Sequence, residues 1–207
     1  MAEASRYNVS DDDAGLEKGV LKNKSGIKNE KRLQNVESLL LIDAIAHFTR
    51  LAKEGKIVFD LSLIFEIQRY FLGNLYDWAG KVRKVEISKD GVLFAPVIRI
   101  NDSLKKFEKL LQKNQPRKGD SKKQIAQKLA IIHNEFNAIH PFREGNGRTI
   151  RLFMDLMAVN ADYQPIDFGK SSKKSYIFAC QRGIVLDHSK MERVIYKGLR
   201  KNNKKYE

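Results

Sequence analysis

Cysteine and proline are scarce in this chain of 207 residues, which has one cysteine and four prolines. Cys180 cannot form a disulfide within the chain, which excludes a disulfide-held fold and suits a reducing compartment. So few prolines, without a low-complexity tract, exclude long extended linkers. Neither a signal peptide nor an apolar run long enough to span a membrane is found. We therefore expect a cytoplasmic protein, with delivery into another cell left open.

Several motifs are absent as well. The chain has no G-x-x-x-x-G-K-[ST] phosphate loop, no zinc-ligand spacing, no helix-turn-helix pattern and no interleaved basic and aromatic residues. Its 39 Lys and Arg residues against 25 Asp and Glu give a net charge of +14, which favours association with acidic partners. Because lysines spread over many helices are usually solvated, we predict no specific nucleic-acid partner and no membrane partner.

Apolar residues recur at helical spacing through most of the chain, which predicts a mainly α protein. The predicted helices span Asn29–Arg50, Leu61–Leu72, Asp102–Asn114, Ser121–Ile139, Gly147–Asn160, Ser172–Val185 and Ser189–Arg200. One β-hairpin is predicted within Val82–Ile100, because residues alternate from Val82 to Ile87 and Asp90-Gly91 is a strong turn signal. Pro96 limits its second strand to an edge position.

The length is that of one ordinary domain with extensions. We expect an N-terminal extension at 1–30, a helix that packs on the core at 31–59, the main domain at 60–195 and a basic C-terminal tail at 196–207.

The run His140-Pro-Phe-Arg-Glu-Gly-Asn-Gly-Arg-Thr-Ile-Arg151, named here the signature loop, carries the strongest chemical signal. Pro141 disfavours the α conformation of the residue before it, so one helix should end at His140. The glycines on either side of Asn146 predict the start of the next helix. The first N–H groups of a helix lack partners within it and face the positive end of its dipole, so such a start binds anions.

Charged residues surround this predicted anion site. Arg148 and Arg151 are three residues apart, so both can reach a polyphosphate from one face of the first turn. Glu144 would be repelled by phosphates unless a cation such as Mg2+ lay between them. His140 suits a proton acceptor near neutral pH. Separately, a His before Pro often only ends a helix, a G-x-G pair is often a turn, and two such arginines are often solvated. Their combination favours nucleotide chemistry.

The signature loop resembles the Fic family signature, H-x-F-x-[DE]-G-N-G-R-x-x-R, and every specified position matches. The segments Leu72–Lys81, Val82–Lys89 and Phe94–Pro96 are similar to the family's region before and around its hairpin, the flap. The resemblance covers about Asp60 to Ile195. It implies the Fic fold, a mainly α helical bundle with one β-hairpin flap next to the active-site loop.

The resemblance also implies an activity. Fic enzymes typically act as protein adenylyltransferases, moving AMP from ATP to a Ser, Thr or Tyr hydroxyl of a target protein and releasing pyrophosphate, and some are bacterial toxins or effectors. By resemblance His140 is the general base, Glu144 holds Mg2+, and the nucleotide is bound by Phe142, Arg143, Gly145, Asn146, Gly147, Arg148 and Arg151. Asn146 would orient the α-phosphate, Arg148 the β-phosphate and Arg151 the γ-phosphate. A relative that transfers phosphate has lysine in place of Gly147, so this glycine favours nucleotidyl transfer.

Two more regions have implied roles and structural alternatives. The flap residues are Lys89, Asp90, Gly91, Val92, Leu93 and Phe94. The flap's exposed edge would pair with an extended target segment, whereas the alternative is a small solvent-facing hairpin. Tyr176 and Ala179 fall where Fic proteins often line the adenine pocket, whereas the apolar pattern around them favours core packing.

Regulation is where the chain departs from many family members. Their inhibitory motif, [ST]-x-x-x-E-[GN], has no complete copy here: Ser25 is followed by Asn29 in place of glutamate, and Ser189 with Glu192 is one residue short. We therefore expect a separate small antitoxin that supplies a glutamate to Arg151. Two alternatives remain for the function, a nucleotide-binding regulatory module and a Fic enzyme that uses another phosphate-linked donor.

Overall fold

A computed structural model of the chain describes residues 8–9, 15–17, 19–89 and 92–202. The helices within these ranges are α1 Glu30–Lys53, α2 Leu61–Leu72, α3 Ile100–Lys113, α4 Lys122–Ile139, α5 Asn146–Asn160, α6 Lys173–Ile184 and α7 Ser189–Gly198. All seven predicted helices are confirmed, and no end is displaced by more than three residues. No helix in the described ranges is both long enough and apolar enough to cross a bilayer.

Local capping explains most of the helix starts. The side chains of Asn29, Asp60 and Ser172 each accept a hydrogen bond from a backbone N–H in the first turn that follows. Ser121 and Gln124 form a reciprocal capping box at the start of α4. Such caps satisfy N–H groups that the helix itself cannot, so these boundaries are readable from the sequence.

The helices pack around α4, which contacts α3, α5, α6 and α7, while α1 and α2 pack together and against α5. The core is continuous and apolar, and its largest fully buried side chains include Phe48, Phe71, Phe136, Phe142 and Phe153. The signature loop joins α4 to α5. It therefore lies between two buried helices whose ends cannot move independently.

The strands are short: β1 Asn8–Val9, β2 Leu16–Glu17, β3 Val20–Leu21, β4 Ile87–Lys89 and β5 Val92–Leu93. β2 pairs with β3, whereas β1, β4 and β5 form an antiparallel sheet in the order β1-β4-β5. The predicted hairpin is confirmed, with Lys89 opposite Val92. Its turn residues, Asp90 and Gly91, lie outside the described residues, as do parts of the N-terminal extension and the end of the C-terminal tail.

The predicted alternation from Val82 to Glu86 is not a strand, because β4 begins only at Ile87. The reason is Arg83, which is buried and donates hydrogen bonds to backbone carbonyls on both sides of the hairpin. A side chain committed inward in this way pulls the segment out of a regular ladder. β5 ends at Leu93, before Pro96, and lies at an edge of the sheet, which confirms the edge position that the sequence predicts for the second strand.

Candidate active site

The signature loop turns through two left-handed residues, His140 with φ 49° and Gly145 with φ 84°. Gly145 meets two requirements at once. A Cβ there would be strained by the positive φ, and it would lie 2.9 Å from Cδ1 of Leu72 and 3.1 Å from Cζ of Phe71. The loop backbone therefore approaches α2 more closely than any side chain allows.

Asn146 holds the loop closed from within. Its Oδ1 accepts from the backbone N–H of Phe142 at 2.9 Å, and its Nδ2 donates to the Phe142 carbonyl at 2.7 Å. The Phe142 ring is fully buried and packs edge-on against Phe65 and beside Phe136. In this structure the two side chains anchor the loop, and Phe142 could not reach a nucleotide without leaving the core.

His140 is set in one tautomer by its neighbours. Its Nδ1 lies 2.7 Å from the Asn137 carbonyl, which can only accept, so Nδ1 carries the proton and Nε2 the lone pair. The ring stacks on Phe94 with centroids 3.7 Å apart. Burial is the main cause that lowers the pKa of His140 to about 3, and the positive charges of Lys89 and Arg83 contribute to this shift. The imidazole is therefore neutral near pH 7.

The start of α5 faces the same loop. The first hydrogen bond of the helix runs from the Thr149 N–H to the Gly145 carbonyl at 2.9 Å, so the N–H groups of residues 146–148 precede it. These are the groups that bind anions at helix starts. A Cβ on Gly147 would lie 3.3 Å from Nη1 of Arg151. A side chain at Gly147 would therefore crowd the second arginine.

Arg148 is part of a buried charge network that the sequence analysis missed. Its Nη1 lies 2.8 Å from Oε2 of Glu37, and its Nη2 lies 3.6 Å from Oε1 of Glu144. The Tyr76 hydroxyl donates to the other Glu37 oxygen. Glu37 is 2% exposed and lies on the buried stripe of α1. A carboxylate at an apolar position of that stripe was the signal that could have identified it.

Glu144 is the residue that could hold a cation. It is 8% exposed, and its Oε1 accepts from the Gly145 N–H at 2.7 Å. Within the described ranges there is no group of three or more His, Cys, Asp or Glu side chains that could hold a metal ion by itself. A single carboxylate beside an anion-binding helix start fits Mg2+, which commonly binds through one or two carboxylates, substrate phosphates and water.

A second residue absent from the sequence-based site is Arg83, which ties the flap to the signature loop. Its Nε donates to the His140 carbonyl at 2.9 Å, and its backbone N–H donates to the Pro141 carbonyl at 2.8 Å. The guanidinium also donates to the carbonyls of Val85 and Ala95, which flank the hairpin. The buried Arg83 guanidinium thus links His140 to both ends of the flap.

Gln68 on α2 braces the other end of the loop. Its Nε2 donates to the Glu144 carbonyl at 3.1 Å, and its Oε1 accepts from the Gly80 N–H. Gln68 is fully buried, so both amide groups need these partners. A polar residue within the apolar stripe of α2 was the available signal. This contact links the Leu72–Lys81 segment to the loop.

The remaining predicted site residues lie in different parts of the structure. Arg143 is buried within the signature loop. Ala179 is fully buried in α6 and packs in the core, so its place in an adenine pocket stays a prediction. The Tyr176 hydroxyl lies 3.3 Å from Nη1 of Arg151, so Tyr176 contacts this arginine through its hydroxyl. On the flap, Leu93 is 78% exposed, whereas Phe94 covers the His140 ring.

Comparisons with known proteins agree on one family. Residues 58–158 match the sequence profile of the Fic/DOC family. Protein adenylyltransferase VbhT of Bartonella schoenbuchensis is 36% identical over 158 residues, which are 76% of this chain and 32% of VbhT. The chain thus spans about a third of VbhT's length. A probable protein adenylyltransferase of Sinorhizobium fredii, y4lH, is 29% identical over 166 residues, 79% of this chain and 82% of that protein.

A solved structure has the same fold. The Fic domain of a putative cell filamentation protein from Bartonella quintana, determined with bound ADP, superposes with a TM-score of 0.66 at 27% identity, covering 88% of this chain and 92% of that one. The profile match contains α2, α3, α4, the signature loop and most of α5. The chain therefore belongs to the Fic/DOC family, through the domain at residues 58–158.

Proposed function

We propose that this chain is a Mg2+-dependent protein adenylyltransferase, which moves AMP from ATP to a Ser, Thr or Tyr hydroxyl of a target protein and releases pyrophosphate. The observation that carries the proposal is the signature loop itself. His140, whose Nε2 carries a lone pair, stands at one end of it, and the start of α5, with Arg148 and Arg151, stands at the other. The names of VbhT and y4lH and the ADP of the Bartonella quintana domain support the same chemistry.

His140 acts as the general base in this proposal. Its Nε2 accepts the proton of the target hydroxyl while that oxygen forms a bond to the α-phosphorus of ATP. The bond from the α-phosphorus to the bridging oxygen breaks, and pyrophosphate leaves. The lowered pKa keeps the imidazole unprotonated at neutral pH, as a base requires. Such proton transfer commonly contributes a factor of about 10²–10⁴ to the rate.

The start of α5 binds the leaving group. The backbone N–H groups of residues 146–148 donate to the phosphates, Arg148 contacts the β-phosphate and Arg151 the γ-phosphate. Glu144 would hold Mg2+, which when bound would neutralise charge that develops on the phosphate oxygens. Because Asn146 is committed to the Phe142 backbone, its contribution to the α-phosphate comes through its own backbone N–H. Because these donors are already in position before the reaction, they need not reorganise during it.

The flap positions the target. β1 pairs with the outer edge of β4, so within the hairpin it is β5, at Val92–Leu93, that lies at an edge of the sheet, and a target segment would add there. Backbone pairing of this kind orients a hydroxyl without reading much sequence. Phe94 follows β5 directly and stacks on His140, so the chain that docks the target continues into the residue that covers the base.

The proposal includes control at Arg151 by a separate protein, as in a toxin with its antitoxin or a restrained effector. Arg148 is paired with Glu37, whereas no ion pair to Arg151 is found in the described part of the chain. A glutamate brought by a small partner could occupy that position and exclude the γ-phosphate. If no such protein binds the chain and the purified chain is nevertheless inactive, this part of the proposal is wrong.

Transfer of label from ATP tests the activity. The purified chain is incubated with bacterial lysate, Mg2+ and ATP labelled at the α-phosphate or at the γ-phosphate. We expect label on protein only from α-labelled ATP, and a mass gain of one AMP on a Ser, Thr or Tyr residue. Label from γ-labelled ATP would indicate phosphate transfer, and ATP binding without any label would indicate a regulatory module. Label only from other nucleotides would indicate a different donor.

Two histidine variants control the experiment. His140→Ala should abolish transfer while ATP still binds, because the nucleotide contacts lie on α5. His47→Ala serves as the matched control. His47 lies on α1, where its ring stacks on Tyr70 of α2 with centroids 4.6 Å apart, and it takes no part in the site. Equal activity in the two variants would refute the role of His140.

A further inference from the structure

A row of buried polar side chains from outside the signature loop contacts Arg151. His133 and Asn134 on α4 are each 1% exposed, and Tyr176 lies on α6. Arg151 Nη1 is 3.3 Å from the Tyr176 hydroxyl, which is 2.9 Å from His133 Nε2. His133 Nδ1 is 3.1 Å from Asn134 Oδ1, and Asn134 Nδ2 is 3.1 Å from Nδ1 of His188.

The proton positions along this row follow from the groups that can only donate or only accept. Arginine can only donate, so the Tyr176 oxygen accepts from Arg151. An amide oxygen can only accept, so the proton of His133 is on Nδ1, facing Asn134 Oδ1, and the His133 Nε2 lone pair accepts from the Tyr176 hydroxyl. Burial lowers the pKa of His133 to about 4, so the ring is neutral near pH 7, as this arrangement requires. The Asn134 amide in turn donates to His188.

Packing around the row shows that the helices accommodate it. Gly183 lies within α6, where glycine disfavours a helix. A Cβ on Gly183 would lie 2.3 Å from Cγ of Asn134, so only glycine lets α6 approach this amide. The Tyr176 ring is flanked edge-on by His133 and Phe168, with centroids 5.7 and 5.8 Å away. The hydroxyl therefore has little freedom to leave Arg151.

We propose that Tyr176, oriented by His133 and Asn134, is a positioning residue that holds the Arg151 guanidinium toward the third phosphate and so makes the site prefer a nucleoside triphosphate to a diphosphate. The inference rests on the proposed assignment of Arg151 to the γ-phosphate. One Arg151 nitrogen is committed to the Tyr176 hydroxyl, and the guanidinium carbon lies over the Tyr176 ring, 5.8 Å from its centroid, so the planar fork is held in place and its other donors remain for the phosphate. Tyr176 thus acts through Arg151 and does not form a wall of an adenine pocket.

Nucleotide binding by Tyr176→Phe tests the proposal, because the ring stays and only the hydroxyl is lost. With Mg2+ present, calorimetry should show ATP affinity reduced roughly tenfold, in line with the loss of a hydrogen bond to a charged group. ADP and AMP affinities should stay within about twofold of wild type, since neither reaches Arg151. Tyr196→Phe, on the exposed face of α7, is the matched control and should change none of the three. Equal losses for ATP, ADP and AMP would overturn the proposal in favour of an adenine contact.

A double-mutant cycle separates action through Arg151 from direct contact. In an Arg151→Lys background, Tyr176→Phe should reduce ATP affinity no further, because the fork on which it acts is gone. A full additional loss would overturn the proposal. If Tyr176→Phe does not fold, Gly183→Ala provides the second test, because its Cβ would meet Asn134 while the Tyr176 side chain itself is unchanged. It should also weaken ATP selectively, and unchanged ATP binding would refute the role of His133 and Asn134.

Failure of the positioning role of Tyr176 and failure of the proposed adenylyl transfer give different experimental results. A wild-type chain that binds ATP more tightly than ADP through Tyr176, yet transfers no AMP, refutes adenylyl transfer and leaves the positioning role intact. A wild-type chain that transfers AMP but does not distinguish ATP from ADP refutes the positioning role alone.

Discussion

Replacement of Glu37 by alanine would remove the centre of the buried network beside the signature loop. The carboxylate is 2% exposed, and its two oxygens accept from the Tyr76 hydroxyl and from Nη1 of Arg148. Alanine leaves both donors without this acceptor. Arg148 then keeps Glu144, at 3.6 Å, as its remaining acidic neighbour, which draws the guanidinium toward the proposed cation ligand.

The expected loss of stability follows from this geometry. Removal of one partner from a buried ion pair costs about 3–5 kcal/mol, because a charge is left uncompensated. The Arg148 side chain is 22% exposed and retains Glu144, so we expect the lower end, about 3 kcal/mol. For a chain of this length that corresponds to a fall in Tm of roughly 6–12 °C. Affinity for ATP and ADP should also fall, whereas AMP, which lacks the β-phosphate, should bind as before.

Calorimetric unfolding and nucleotide titration measure both effects. Glu66→Ala, on the exposed surface of α2, is the matched control and should stay within about 0.5 kcal/mol of wild type. Joint replacement of Glu37 by leucine and Arg148 by methionine should cost less stability than Glu37→Ala, because neither charge of the Glu37–Arg148 pair is left without the other. A Glu37→Ala protein that unfolds within about 1 kcal/mol of wild type would refute the network, given the cost expected for a buried pair.

Three further predictions concern the loop and the flap. Gly147→Ala should fold normally but lose ATP affinity, measured by calorimetry, because its Cβ lies 3.3 Å from Nη1 of Arg151; unchanged affinity would contradict this crowding. Arg83→Lys should lower kcat for AMP transfer and leave ATP affinity unchanged, because the fork that joins flap and base is lost; a kcat equal to wild type would exclude this coupling. Burial holds the pKa of His140 at about 3, below the ordinary value of 6.5, so the unfolded chain binds more protons between those values. The contribution of His140 to stability should therefore be complete above pH 6.5 and decline as pH falls, by up to about 1.4 kcal/mol per pH unit, and denaturant melts of His140→Ala should lack this part of the slope.

The local sequence pattern predicts the helices of this fold well. Their apolar stripes, their Asn, Asp and Ser caps and the Pro141 stop act within a few residues, so the seven helix ranges needed no tertiary information. The flap was predicted less accurately. Its hairpin was correct, but the first strand begins at Ile87 because Arg83 turns inward, and alternation alone does not show where a long side chain points.

The candidate site shows the same division. The sequence alone determined the chemical groups of the signature loop, and it places the start of α5 beside them, because Pro141 and the glycines around Asn146 predict a tight loop between two helices. Only the tertiary structure brought Glu37 to Arg148 across 111 positions, Gln68 to Glu144 across 76 and Arg83 to His140 across 57. It also assigned Asn146 and Phe142 to holding the loop and Tyr176 to Arg151. Such partners depend on which helix faces pack together, and no local spacing encodes that choice.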